Sequence, residues 1–589
     1  MNEQRFYLDA GDDSAFAIFH PAQGSSAVLM CPPFGWDDIC SYRSRRVWAE
    51  RLAEAGHPTL RFDLPGTGDS AGSATDASRV EAWAAAVHGA AAWLRADSGR
   101  RRTVAIGIGL GGLLAMLVAA GGGPIDDFVL WAVPAGGRAL LRELRTFARI
   151  EAANIAASGA PEPPPQPAGV LAPGGFIVTA ETQAALEALE LPGLPPQPGT
   201  RRRALLLGRD GIPAAKELAR QLQDAGVEVD VADGDGYGAM MAPPDLARSP
   251  TAVFERVDAW LAAAPRDEAE PRRPPVPPTR GSIEIAVGAA RVHERPVDVA
   301  CGSGRLFGVL SEPAGVPPAE LSLVLLNAGA IRRVGPNRMW VDFARRWTAQ
   351  GVPAFRLDLE GIGDAAGEGE RYTDVSELYV PEFVGQVRTA LDALEARGVP
   401  PRFALLGLCS GAYWAFHAAC ADDRVSAAIM LNPRILFWDP RLDPARDARK
   451  LRGQLFDGRS WRKRLRGEDG LDMRRLISLT RWLAGSRADT PAASVAPAIE
   501  RAFDELRDAR KRAIFLFCDG EPLRDELYEN ALLPPPDRWP NVELEVLPGG
   551  DHTLRPLWTH EQVHAAVDRA LAGELTRVPE LSLARPASR

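Results

Sequence analysis

The stretch FALLGLCSGAYWA, residues 403–415, reads as an apolar strand that runs into a glycine-flanked turn and leaves it along a helix of small and aromatic residues. A near-copy, TVAIGIGLGGLLA, occupies 103–115. Outward from these blocks, RFDLPGTGDSAG at 61–72 pairs with RLDLEGIGDAAG at 356–367 at an offset of 295 residues. AERLAEAGHPTLRFDL at 49–64 pairs with ARRWTAQGVPAFRLDL at 344–359 at the same offset, and VLMCPPFGW matches VLLNAGAIR close to it. Several blocks repeated in one order identify a tandem duplication. Between the copies, PRDEAEPRRPPVPPTRGS at 265–282 is charged and rich in proline, the composition of an extended spacer. The boundaries follow: a first domain over 1–264, a linker over 265–281 and a second domain over 282–589.

Each copy alternates apolar strands with helical patterns, which implies a mostly parallel sheet covered on both faces by helices. Each interrupts the alternation with an insertion, at about 135–200 and 434–511, before the strands ALLLG and AIFLFC. An insertion near the C-terminal edge of such a sheet lies where ligands bind, so both read as caps.

The composition narrows the function. In 589 residues, 68 Lys and Arg face 77 Asp and Glu for a net charge of -9, which argues against nucleic acid or an anionic membrane as partner and favours a small molecule or a protein. The six cysteines form no C-x-x-C pair, so neither a disulfide framework nor a zinc module is indicated, and no metal or cofactor is expected. The opening MNEQRFYLDAGDDSAF lacks the basic and apolar regions of a signal peptide, which points to the cytoplasm. Val104–Ile125 carries no charge and is long enough to span a bilayer, but it is glycine-rich and has a soluble-looking counterpart in the other copy.

Within LLGLCSGA, 405–412, Gly407, Cys409 and Gly411 form G-x-C-x-G between strand and helix. This segment resembles the nucleophile elbow of the α/β-hydrolase fold, with cysteine in place of serine. The elbow is tight, so the residues two before and two after the nucleophile must be small. With Cys409 as nucleophile those residues are glycines; with Ser410 one of them would be Leu408, which favours Cys409. The resemblance implies two tandem α/β-hydrolase domains and the chain order nucleophile, acid, histidine. DGEPLRDEL after the strand AIFLFC is similar to the family's acid loop and places Glu521 at the acid, with Asp519 a close second. GGDHT places His552 in the histidine loop, while His560 and His564 fall on the following helix and are expected at its surface. The oxyanion donors implied are the backbone N–H groups of Ser410 and of Ala330 in NAGAI. A cysteine elbow is similar to those of dienelactone hydrolases and polyhydroxyalkanoate synthases.

At the matching places the first copy offers Gly109, Gly211 (with Asp210 beside it) and Tyr237, and no histidine occurs from 89 to 292. It reads as a pseudoenzyme domain. GIGLGG also fits the dinucleotide pattern G-x-G-x-x-G at Gly107, Gly109 and Gly112, but that pattern opens a βαβ unit and here other strands precede it. The activity expected is acyl transfer, as a thioesterase or acyltransferase, through an acyl-Cys409 with His552 and Glu521. The alternatives are ester or lactone hydrolysis of the dienelactone type and a non-catalytic binding pair. From Arg441 to Arg481, thirteen Lys and Arg face six Asp and Glu. This basic segment would suit an acyl donor carried on CoA or on an acidic carrier protein.

Overall fold

The computed structural model describes residues 3–24, 26–99, 102–157, 168–190, 193–195, 201–264, 275–373, 375–437, 495–535 and 537–576. The basic segment 441–481 lies outside the described residues, as do 265–274 of the linker and 438–494 of the second insertion.

The first copy builds its sheet from β1 (Gln4–Ala10), β2 (Asp13–His20), β3 (Ser26–Cys31), β4 (Thr59–Phe62), β5 (Arg102–Ile108), β6 (Asp127–Trp131), β7 (Arg203–Leu207) and β8 (Glu228–Ala232), with β9 (Thr279–Arg280) added at its edge. The second contributes β10 (Ile283–Val287), β11 (Ala290–Cys301), β12 (Gly304–Ala314), β13 (Ser322–Leu326), β14 (Ala354–Asp358), β15 (Phe403–Leu408), β16 (Val425–Leu431), β17 (Arg512–Cys518) and β18 (Val542–Leu547). The orders are β8-β7-β6-β5-β3-β4-β2-β1-β9 and β10-β11-β12-β14-β13-β15-β16-β17-β18, the same arrangement once β9 and β10 are set aside. Strands from β3 to β8 and from β13 to β18 run parallel, whereas β1, β2, β11 and β12 join antiparallel. All residues of β13, β15 and β17 are buried, which is why they read as unbroken apolar runs. The second domain is therefore α/β with helices on both faces of its sheet, as is the first.

Two boundaries shift. Thr279 and Arg280, read as linker, pair with Leu8 and Tyr7 and extend the first sheet. The helix Ala496–Asp508, read as the end of the second cap, buries Ile499, Ala502, Phe503 and Leu506 in the core beside Phe416, Phe515 and Trp539. It belongs to the layer of helices that feeds β17.

The copies meet about an approximate two-fold axis. Phe16 and Phe307 occupy equivalent places, beside the first aspartate of their own D-x-x-G-x-G-D loops (Asp63 and Asp358), and their rings stack at 6.2 Å. Arg61 of the first copy binds Asp364 of the second at 3.0 Å, and its counterpart Arg356 binds Asp69. Arg43 donates to Gly369 O, and its counterpart Arg338 donates to the carbonyls of Gly68, Ser70 and Gly72. This is the self-complementary contact of a symmetric dimer, made within one chain.

Candidate active site

Cys409 follows β15 and caps the helix Ser410–Ala421 with φ 58° and ψ -113°, a left-handed conformation that costs a non-glycine residue about 1–3 kcal/mol. The packing enforces the turn. A Cβ on Gly407 would lie 2.1 Å from the backbone of Gly411, and one on Gly411 would lie 2.4 Å from Asn327 O. Ser410 is buried, and its Oγ accepts from the Gly329 N–H at 2.9 Å, so the hydroxyl is engaged by the neighbouring loop. The geometry thus separates the two adjacent residues and leaves the sulfur of Cys409 at the tip.

His552 reaches this elbow from the loop after β18. Its Nδ1 meets Glu521 Oε1 at 2.9 Å and Oε2 at 3.0 Å, and Glu521 is buried. Asp519 takes another part: its Oδ2 accepts from the Gly549 N–H at 3.0 Å and so anchors the start of the histidine loop. The His552 Nε2 is buried without a well-formed hydrogen bond, and the group that faces the imidazole is the Cys409 sulfur.

Electrostatics couple the pair. Burial pushes the Cys409 thiol up, but the approach of His552, the charge of Arg434 and the Tyr379 hydroxyl outweigh it and bring the thiol below its ordinary value. Burial pulls the His552 imidazole down, yet the neighbouring Cys409 and Glu521 raise it to about 10. Both directions favour a thiolate beside an imidazolium at neutral pH.

The backbone N–H groups expected to receive an oxyanion lie on the elbow and on the loop after β13. Ser410 is the first residue of its helix, so its N–H has no acceptor within that helix. No described residue accepts from the Ala330 N–H. The Asn327 Nδ2 donates to Ile331 O at 2.9 Å and to Asp358 Oδ1 at 3.2 Å, which fixes the loop carrying Ala330.

Sequence reasoning missed Tyr379, Arg434 and Asn432. Asn432 sits at φ 41° after β16, where its Nδ2 donates to His552 O at 2.9 Å and its Oδ1 accepts from the Cys518 N–H at 2.7 Å. It ties the histidine loop to the acid strand. An asparagine directly after a buried strand was the available signal, since Asn tolerates the left-handed region. His560 and His564 are half-buried, not exposed: His560 Nε2 accepts from Asn337 Nδ2 at 2.8 Å, and His564 packs on Phe343 with ring centres 4.0 Å apart.

In the first copy Gly109 keeps the elbow conformation, φ 53° and ψ -118°, without a side chain. Strand register corrects the other two positions. Leu207 pairs beside Trp131 as Leu516 pairs beside Leu431, so Gly211 matches Gly520 and the exposed Ile212 stands at the place of Glu521. Asp210 accepts from the Gly236 N–H at 2.6 Å as Asp519 does from Gly549, and counting from these glycines puts Ala239, two residues past Tyr237, at the place of His552. Ala132, at φ 52°, replaces Asn432.

Among the described residues no group of three or more His, Cys, Asp or Glu side chains is placed to hold a metal ion, and no helix is long and apolar enough to cross a membrane. All six cysteines are free.

Residues 323–569 match the model of the Alpha/beta hydrolase family. Solved structures similar to the chain include the alpha/beta hydrolase GrgF from Penicillium sp. sh18, at 20% identity over 47% of this chain and 96% of its own, TM-score 0.30. The dienelactone hydrolase from Anabaena variabilis is 13% identical over 50% of this chain and 99% of its own, TM-score 0.29. The thioesterase domain from the curacin biosynthetic pathway is 13% identical over 48% of this chain and 99% of its own, TM-score 0.29. No curated protein matches the chain.

Proposed function

We propose that the second copy transfers acyl groups from an ester or thioester through a covalent acyl-Cys409 intermediate. The observation that carries this reading is the constellation itself: a cysteine at the tip of a strained strand-to-helix turn, facing an imidazole whose other nitrogen is held by a buried glutamate. The Cys409 thiolate attacks the acyl carbonyl, and the oxyanion is received by the N–H groups of Ser410 and Ala330. His552 gives its proton to the leaving group and then takes one from the water, thiol or amine that accepts the acyl group. Glu521 orients the imidazole and stabilises its charged form without exchanging a proton. A thioester intermediate reacts more readily with thiols and amines than an oxygen ester does, which supports thioesterase or acyltransferase action over simple ester hydrolysis.

The first copy, with Gly109, Ile212 and Ala239 at the three chemical positions, performs no such step. The test is intact-mass detection of an acyl adduct after mixing with a panel of acyl-thioesters, acyl esters and lactones, with the adduct mapped to Cys409. The expected result is a thioester-derived adduct that is absent in Cys409→Ala. Turnover that survives in Cys409→Ala and disappears in Ser410→Ala would overturn it. Adducts from lactones alone would assign the site to lactone hydrolysis.

A further inference from the structure

We infer that the silent first copy is a positioning part of the active site: its D-L-P-G-T-G-D loop holds the oxyanion loop of the second copy through Arg332. This rests on the acyl-transfer reading and assigns the first copy a role in it. Two residues after Ala330, Arg332 leaves the loop and enters the first copy. Its Nη1 and Nη2 donate to the two carboxylate oxygens of Asp63 at 3.0 Å each, and Nη2 also donates to Asp38 at 3.1 Å. The guanidinium is 2% exposed and lies over the Tyr42 ring at 3.9 Å. Asp38, Tyr42 and Asp63 all belong to the first copy. The next residue, Arg333, divides its bonds between the copies, with Asp69 of the first at 2.5 Å and Asp358 and Asp364 of the second at 2.6 and 2.8 Å.

These contacts depart from the two-fold relation that governs the rest of the interface. Arg61 and Arg356, and Arg43 and Arg338, are equivalent pairs at the repeat offset; at the same offset Arg332 and Arg333 correspond to Asp37 and Asp38. The asymmetry falls at the loop that carries the oxyanion donor, and the arginines are in the copy that has the nucleophile. A bidentate Arg–carboxylate pair fixes both distance and orientation, and the other side of the loop is held by Asn327 and by the bond from the Arg333 N–H to Asp358 Oδ1 at 2.6 Å. The Ala330 N–H is therefore set between an anchor in its own copy and an anchor in the silent one.

The test compares two reactions of Cys409 in the full-length chain. Alkylation by iodoacetamide needs the thiolate and no oxyanion donor, whereas acylation by an acyl-thioester needs both. Asp63→Asn is expected to slow acylation about tenfold or more, since misplacement of a reacting group by about 1 Å can cost about 10²-fold. Alkylation and its pH profile should stay within about twofold of wild type. Asp63→Glu, which keeps the charge, should recover part of the acylation rate. Where Asp63→Asn does not fold, Asp38→Asn, which leaves the Asp63 pair intact, is read in the same way, with a loss of about threefold expected. Equal rates of acylation in folded variant and wild type, or a parallel loss of acylation and alkylation, overturns the inference and leaves the acyl-transfer reading standing. A wild-type chain alkylated at Cys409 but acylated by no substrate overturns both.

Discussion

The charge state of Cys409 follows from three neighbours that come from three separate segments: His552, Arg434 and Tyr379 together outweigh the burial that would keep the thiol neutral. A thiol whose value is lowered keeps its thiolate to lower pH than a free thiol does. The pH profile of iodoacetamide alkylation at Cys409 should therefore lie below that of a free thiol. In His552→Gln the profile should move up toward that of a free thiol, with a pKa of about 8.5, and the rate at pH 7 should fall about tenfold or more. A profile unchanged in this variant would remove His552 from the pair. The two candidate acids separate by the same reasoning. Glu521→Gln should lower kcat about 10- to 100-fold with little change in KM, because the imidazolium loses the charge that stabilises it. Asp519→Asn keeps a group able to accept from Gly549 N–H and should cost less than about threefold. Both acids were legible in the sequence as members of one loop; the choice between them was not, because it depends on which side chain points back to the histidine.

At the scale of the element, the elbow forms with and without a side chain at its tip. Gly109 and Cys409 agree within a few degrees in φ and ψ, and the N–H of each donates to the strand that follows, to Trp131 O at 3.1 Å and to Leu431 O at 3.0 Å. The turn is thus maintained by the sheet and the flanking glycines and does not require a catalytic side chain. Nothing lies within 4 Å of a Cβ built on Gly109, so Gly109→Ser fits in space while meeting the strain of a positive φ. The expected loss of stability is about 1–3 kcal/mol, read by denaturant unfolding, and in a Cys409→Ala background the variant should show no acylation, since Ile212 and Ala239 supply neither acid nor base. Acylation of a serine at 109 in that background would refute this assignment. The strands and the elbow were legible because parallel, doubly buried strands leave continuous apolar runs and the turn leaves glycines. The helix Ala496–Asp508 was assigned to the cap because its charged exposed face, in IERAFDELRDARK, obscures the buried stripe of Ile499, Ala502, Phe503 and Leu506.

The whole molecule behaves on this reading as a dimer whose first copy keeps the contact surface without the chemistry. The repeat was legible from short matching blocks, but the charged interface was not, because each ion pair joins residues about 300 positions apart and both loops read as ordinary turns. That interface decides how the chain unfolds. Arg333, Arg356, Asp69, Asp358 and Asp364 are almost wholly buried, and removal of one partner from a buried pair costs about 3–5 kcal/mol. A domain of this size is stable by only about 5–15 kcal/mol. Separation of the copies would strand several such charges at once, and would also expose Phe16, Ile18, Ile283 and Phe307, which share one apolar cluster across the interface. Neither copy can lose its fold without removing partners the other needs. The full-length chain should therefore unfold in one calorimetric transition, although it contains two sheets and two cores. Asp364→Ala, which leaves Arg61 and Arg333 short of a carboxylate, should lower that transition as a whole and not split it. A segment 282–589 expressed alone should aggregate or remain unfolded. Two well-separated transitions in the wild-type chain, or a soluble and fully active 282–589, would show that the interface joins two independently stable domains.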